Sequence, residues 1–186
     1  MSAHDKQTLV SLLAKRSARR GSFILASGKQ SSLYIDARLT TMSPEGLSLI
    51  GPLGLDAIRK AQWAADSVGG LTLGADPIAF AISYASAHTP SPIRAFTVRK
   101  EAKAHGTGKL IEGPFAPGDR VVIVEDVITT GASAARAVEA VRAGGGTILG
   151  VLALVDRDEG GRVSLEGLGL SVVSLVSATE ILAASE

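Results

Sequence analysis

Two adjacent carboxylates, Glu125 and Asp126, are followed after Val127 and Ile128 by Thr129-Thr-Gly-Ala-Ser133. The second group offers backbone N–H groups, three hydroxyls and a glycine at the start of a predicted helix. Amides and a helix dipole converging on one spot suit a phosphate monoester. Carboxylates repel phosphate, so Glu125 and Asp126 must face another part of the same ligand, either vicinal sugar hydroxyls or a hydrated Mg²⁺. Acids for a ribose and amides for its 5-phosphate, a few residues apart, describe a ribose-phosphate cradle.

These residues need a strand before them and a helix after them. Val121, Val122, Ile123 and Val124 are apolar without alternation, as in a strand covered on both faces of a parallel sheet. The predicted helix places Ala134, Val138 and Val141 on one side and Arg136, Glu139 and Arg142 on the other. It should stop at Gly144-Gly-Gly146, before an apolar strand over 147–155.

The rest of the chain repeats the alternation. A helix is predicted from about Asp5 to Arg20, with Leu9, Leu12 and Leu13 inward and Arg19 and Arg20 near its end. Phe23-Ile-Leu and Leu33-Tyr-Ile flank Ser27-Gly-Lys-Gln-Ser31, a hairpin signature. Ser43-Pro44-Glu45 opens a helix that Gly51-Pro52 should kink or interrupt. A strand over 68–73 leads through Gly74-Ala-Asp-Pro77 to an alanine-rich helix, with Asp76 as its expected N-cap. A strand over 93–98, an unpatterned charged stretch over 99–113 and a turn over 114–118 precede the cradle. A last strand near 171–176 leads to a short helix with a Ser177/Glu180 capping box. The expected fold is α/β, an open parallel sheet flanked by helices, with ligands at the strands' carboxyl ends. A small N-terminal hairpin or hood (about 1–40) precedes the core (about 41–186) in a single domain.

Composition removes several functions. Nineteen basic and 18 acidic residues leave a net charge of +1, so no charge signature of nucleic-acid binding is present. Aromatics at 4% argue against a stacking platform for bases. The absence of cysteine excludes disulfides and thiolate chemistry, and three scattered histidines make no metal cluster. The N-terminus has no signal-peptide core, and the apolar run over 143–155 is too short to span a bilayer. A cytoplasmic protein is expected, without nucleic-acid or membrane partners.

The string Glu-Asp-Val-Ile-Thr-Thr-Gly-Ala-Ser resembles the phosphoribosyl pyrophosphate (PRPP) motif of type I phosphoribosyltransferases. Arg99-Lys-Glu-Ala-Lys-Ala-His-Gly-Thr-Gly-Lys109 resembles the Arg-Lys-x-x-Lys-x-His-Gly loop of orotate phosphoribosyltransferases. The segment Gly21 to Asp36 is similar to that family's hairpin, Leu73-Gly-Ala-Asp-Pro77 to its pyrophosphate loop, and Asp156-Arg157 to its pyrimidine-binding arginine. The resemblance runs from about residue 5 to 180.

It implies Mg²⁺-dependent transfer of ribosyl 5-phosphate from PRPP to orotate, giving orotidine 5'-monophosphate and pyrophosphate. It assigns PRPP to Arg99, Lys100, Lys103, His105, Glu125, Asp126, Val127, Ile128, Thr129, Thr130, Gly131, Ala132 and Ser133. Lys103 and Asp126 become the catalytic pair, and Thr129, Arg157, Tyr34 and Ile35 face orotate. Most Mg²⁺ ligands would come from substrate and water, with no dedicated protein metal site. A homodimer is implied, its Arg99–Lys109 loop reaching the neighbouring site. Two departures stand out: Ala26 replaces a lysine common before the hairpin's Ser-Gly, and residues 70–76 contain no lysine. A transferase for another base would share the cradle, but the cationic loop and Arg157 argue against it. A PRPP-binding regulator would need a nucleic-acid-binding module or basic face, which the charge balance does not supply.

Overall fold

The computed structural model describes residues 3–24, 30–101 and 109–185. Helix α1 (Ala3–Arg16) leads into a hairpin of β1 (Ala18–Ile24) and β2 (Gln30–Ile35), then a single turn, α2 (Arg38–Thr41), and the long α3 (Pro44–Lys60). β3 (Ser67–Leu71), α4 (Ala75–Ser86), β4 (Arg94–Val98) and β5 (Ile111–Glu112) follow. The second half comprises β6 (Arg120–Ile128), α5 (Ala132–Ala143), β7 (Thr147–Asp156), α6 (Gly161–Glu166), β8 (Val172–Ser177) and α7 (Ala178–Ala183).

Six strands form one sheet in the order β5-β4-β3-β6-β7-β8, parallel except for the short antiparallel edge β5. The hairpin is a separate two-stranded antiparallel sheet. The unalternated valines of β6 have their physical cause in this layering. Val122 and Val124 join the core beneath α1, α3 and α4, while Val121 and Ile123 join the core beneath α5, and all four are fully buried. The strand order reverses between the parallel neighbours β3 and β6: from β3 the chain passes through α4 to β4 on one side, and from β6 through α5 to β7 on the other. Loops leaving the two strands therefore diverge and leave a crevice at their carboxyl ends.

Several expectations need correction. Helix α1 ends at Arg16, and Arg19 and Arg20 belong to β1, where they pair with Tyr34 and Leu33. Pro52 does not interrupt α3, which is continuous across it. Its neighbour Gly51 is required, because a Cβ there would strike the Ala81 carbonyl of α4. Asp76 is not the N-cap of α4; Gly74 holds that position. The Asp76 carboxylate instead accepts hydrogen bonds from the hydroxyls of Thr72 (2.7 Å) and Thr97 (2.9 Å), tying the loop after β3 to β4. Strand β5 and helix α6 were invisible in the pattern, being two and six residues long. The Ser43 cap and the Ser177/Glu180 capping box are present as expected.

Candidate functional site

Glu125 and Asp126 ride on the last turns of β6 backbone, where the strand outlasts β3 and emerges into the crevice. The alternation of a strand sends them to different environments. Glu125 is buried, and its Oε2 has no hydrogen-bond partner. Burial, reinforced by the negative charge of Asp126, pushes its carboxyl up to about 9. Asp126 is half-buried and accepts the Val127 N–H at 2.9 Å through Oδ1. Both acids line the crevice but differ in environment: Glu125 is buried and proton-bearing at neutral pH, and Asp126 is half-buried.

Beyond them the chain turns through Gly131, which has φ +81° and caps α5. No side chain caps this helix, so its first N–H groups remain directed into the loop. Thr129, Thr130, Gly131, Ala132 and Ser133 close a cup of about 20 Å³ together with Glu125, Val127 and Ile128. Helix α6 supports the cup from behind: a Cβ on Gly131 would meet Leu165, and one on Gly161 would strike the Thr129 carbonyl.

The larger cleft beside it, about 260 Å³, is lined by Glu125, Asp126, Val127 and Ser133 on one side. The opposite walls come from Tyr34 to Arg38, from Leu71 to Gly74 and from Lys100. Gly74 must lack a side chain because a Cβ would run into the Asp126 carboxylate. The peptide between Thr72 and Leu73 is cis. Cup and cleft share Glu125, Val127 and Ser133, so one ligand can fill both.

The predicted site residues divide unevenly. Glu125 to Ser133 come together as a unit, and Tyr34, Ile35 and Lys100 face them across the cleft. Tyr34 packs against Phe23 with ring centroids 5.5 Å apart. Arg99 points away from this cleft toward Glu112, with Nη1 at 3.6 Å from the carboxylate. The Lys100 carbonyl accepts a 2.7 Å hydrogen bond from Arg136, anchoring the root of the cationic loop to α5. Lys103 and His105 lie outside the described residues.

Arg157 is not among the cleft-lining residues. Its side chain is 4% exposed, and Nη2 donates to the Leu33 carbonyl at 2.8 Å and to Glu159 at 2.7 Å. It therefore holds β2 onto the end of β7. Sequence reasoning missed Arg38, whose guanidinium makes a forked pair with Asp36 at 2.8 and 3.0 Å in the cleft wall. The signal available was the Asp36-Ala-Arg38 spacing directly after a strand.

The donors suit an ion only in company with substrate. Among the described residues no group of three or more His, Cys, Asp or Glu side chains could hold a metal. Asp126, with the orphaned oxygen of Glu125 beside it, fits a hydrated Mg²⁺ whose remaining ligands are substrate oxygens and water.

A parallel sheet with an acid pair and an amide cup at its switch point, overhung by a hairpin, defines a type I phosphoribosyltransferase. No family model matches the chain. It is 45% identical over 181 residues to the orotate phosphoribosyltransferase of Aquifex aeolicus, covering 96% of this chain and 98% of that one. The Mycobacterium leprae orotate phosphoribosyltransferase is 42% identical, with 97% and 98% covered. The crystal structure of the Mycobacterium tuberculosis orotate phosphoribosyltransferase in complex with PRPP superposes with a TM-score of 0.78 at 40% identity, over 95% of this chain and 98% of that one. Adenine phosphoribosyltransferase from Saccharomyces cerevisiae, at 21% identity and a TM-score of 0.67, shares the fold. The chain belongs to the orotate phosphoribosyltransferase family.

Proposed function

We propose that residues 1–186 act as one phosphoribosyltransferase domain that joins PRPP to orotate, forming orotidine 5'-monophosphate and pyrophosphate for pyrimidine nucleotide synthesis. The observation that carries this reading is the shared wall of cup and cleft: phosphate amides and hydroxyl-binding acids lie within one ligand's length. The bond from ribose C1 to the pyrophosphate oxygen breaks, and a bond from C1 to the base nitrogen forms. Charge develops on the ribose ring and the leaving group, so groups fixed in advance at those positions lower the barrier.

In this reading Thr129 to Ser133, with Val127 and Ile128, hold the 5-phosphate, and Asp126 with Glu125 holds the ribose hydroxyls. Asp126 would be the residue that holds a substrate-borne Mg²⁺, which would supply charge neutralisation when bound. Lys100, Lys103 and His105 take the pyrophosphate, with Lys103 acting mainly as charge grows in the transition state. Arg99 must leave Glu112 to join them. Tyr34, Ile35 and Thr129 face the base. Arg157 acts from behind the hairpin, where its hold on Leu33 sets the position of Tyr34 and Ile35. Loop closure over the site would exclude water from PRPP.

The same reading includes a homodimer that exchanges the Arg99–Lys109 loop. An apolar groove between α3 and α4, lined by Pro44, Leu47, Pro52, Phe80 and Tyr84, supports it, since Tyr84 is 83% exposed. The outer face of α4 carries no charged residue apart from Asp76, which is buried. A cytoplasmic location belongs to the same reading; no described helix is long and apolar enough to cross a membrane. The test is turnover by purified protein with Mg²⁺, PRPP and a panel of bases, followed optically. Loss of orotate alone is expected. Turnover of a purine, or PRPP binding without turnover, would overturn the reading.

A further inference from the structure

Three carboxylates, Asp36, Glu125 and Asp126, line the cleft, and among the described residues only two cations, Arg38 and Lys100, line it with them. Lys100 roots the charged loop, whereas Arg38 belongs to the hairpin side, at the start of α2. Its placement is over-determined. Asp36 accepts the Arg38 backbone N–H at 3.2 Å, its Nε at 2.8 Å and its Nη2 at 3.0 Å. The Asp36 carboxyl is held below its ordinary range chiefly by this hydrogen bonding, and Arg38 also feels the charge of Asp126. A guanidinium has two donating edges. Asp36 occupies the edge at Nε, which leaves the far edge to the cleft.

We propose that Arg38 is a substrate-binding residue of this cleft, oriented by Asp36, and that its free edge receives the pyrophosphate group of PRPP. This rests on the functional reading above. The Leu71–Gly74 wall brings no charge of its own, so a multiply anionic group entering beside Asp126 needs a cation there. A planar fork matches phosphate oxygens in a bidentate manner, which a lysine ammonium cannot reproduce. Asp36 is then a positioning residue. It fixes the plane of the fork and contacts no substrate.

The test separates this from the functional reading by measuring binding as well as turnover. Calorimetry with Mg²⁺-pyrophosphate on the full-length wild type, R38A, R38K and D36N reads the contact even if no base is turned over. Arg38 is exposed, so folding should survive, and far-ultraviolet circular dichroism verifies it. R38A should weaken pyrophosphate binding and raise the KM for PRPP by about tenfold or more, the value of a charge-assisted hydrogen bond. The KM for orotate should stay within about twofold, because that substrate's contacts are untouched. R38K should recover part of the loss, and D36N should shift the same two constants by less. Unchanged pyrophosphate affinity in R38A, or a loss confined to orotate, would overturn the proposal. A wild type inactive on orotate yet losing pyrophosphate affinity through R38A would sink the functional reading alone.

Discussion

Nine consecutive residues, Glu125 to Ser133, make the acid pair and the phosphate cup, whereas the facing wall is gathered from the hairpin, the loop after β3 and the root of the cationic loop. The first region depends on one strand, one turn and one helix start, all specified locally. The second depends on long-range contacts, among them the packing of Leu33 and Ile35 in the core, the Arg157 bond that holds β2 onto the end of β7, and the Arg136 bond to the Lys100 carbonyl. In the proposed reading, a ligand's phosphate is held by covalent neighbours and its base end by residues that tertiary contacts bring together. Damage to the first should appear as lost chemistry with the fold intact. Damage to the anchorage of the hairpin in the second should appear as lost stability and lost base affinity together.

The largest effect should come from the cationic loop. Lys103→Ala is expected to lower kcat by about two to three orders of magnitude with an unchanged melting temperature, the cost of removing one group aimed at transition-state charge. Single-turnover kinetics and a thermal melt test it, and a near-normal rate would remove Lys103 from its role. Next, Asp126→Asn should cost about 100-fold in kcat/KM for PRPP, since the hydroxyl-binding acid positions the reacting carbon. Its stability should hardly change, because Asp126 is half-buried and its Oδ1 accepts the N–H of the adjacent Val127. Were the melting temperature to fall sharply, the contrast between the two regions would be lost.

Arg157→Met probes the other wall. Removing the buried guanidinium deletes its hydrogen bonds to the Leu33 carbonyl and to exposed Glu159, at a cost of about 1–3 kcal/mol. Urea unfolding should show this loss, and the KM for orotate should rise more than that for PRPP. A variant as stable as the wild type would refute the stapling role of Arg157. The smallest effect lies in pH dependence. The Glu125 carboxyl is raised by burial from 4.5 to about 9 in the folded state, so the folded protein holds a proton that the unfolded chain releases. Its contribution is fully present below about pH 4.5 and is lost as pH rises toward 9. Glu125→Gln should flatten the decline of the urea midpoint across that window. An identical slope in the variant would mean that Glu125 is ionised when folded.

How much was legible follows the same division. The run Val121 to Val124 could be read as a doubly covered strand because two cores claim alternate residues. The cup could be read because a left-handed turn at Gly131 and an uncapped helix start are local events. Arg20 could not be placed, since a basic residue suits a helix end as well as an edge strand. Asp76 was misplaced because a capping preference competes with two hydroxyl donors that only the packed sheet supplies. Pro52 was expected to interrupt a helix that tertiary packing keeps continuous.

By itself, then, the sequence determined the α/β order, the acid-and-hydroxyl string of Glu125 to Ser133 and the family resemblance, because each is written in short local runs of residue types. Tertiary structure alone decided that Glu125 is buried while Asp126 is half-buried, that Arg157 grips β2 and does not line the cleft, and that Arg38 stands there with Asp36. Burial and long-range hydrogen bonds depend on which distant segments meet, and no local pattern of residue types encodes that meeting.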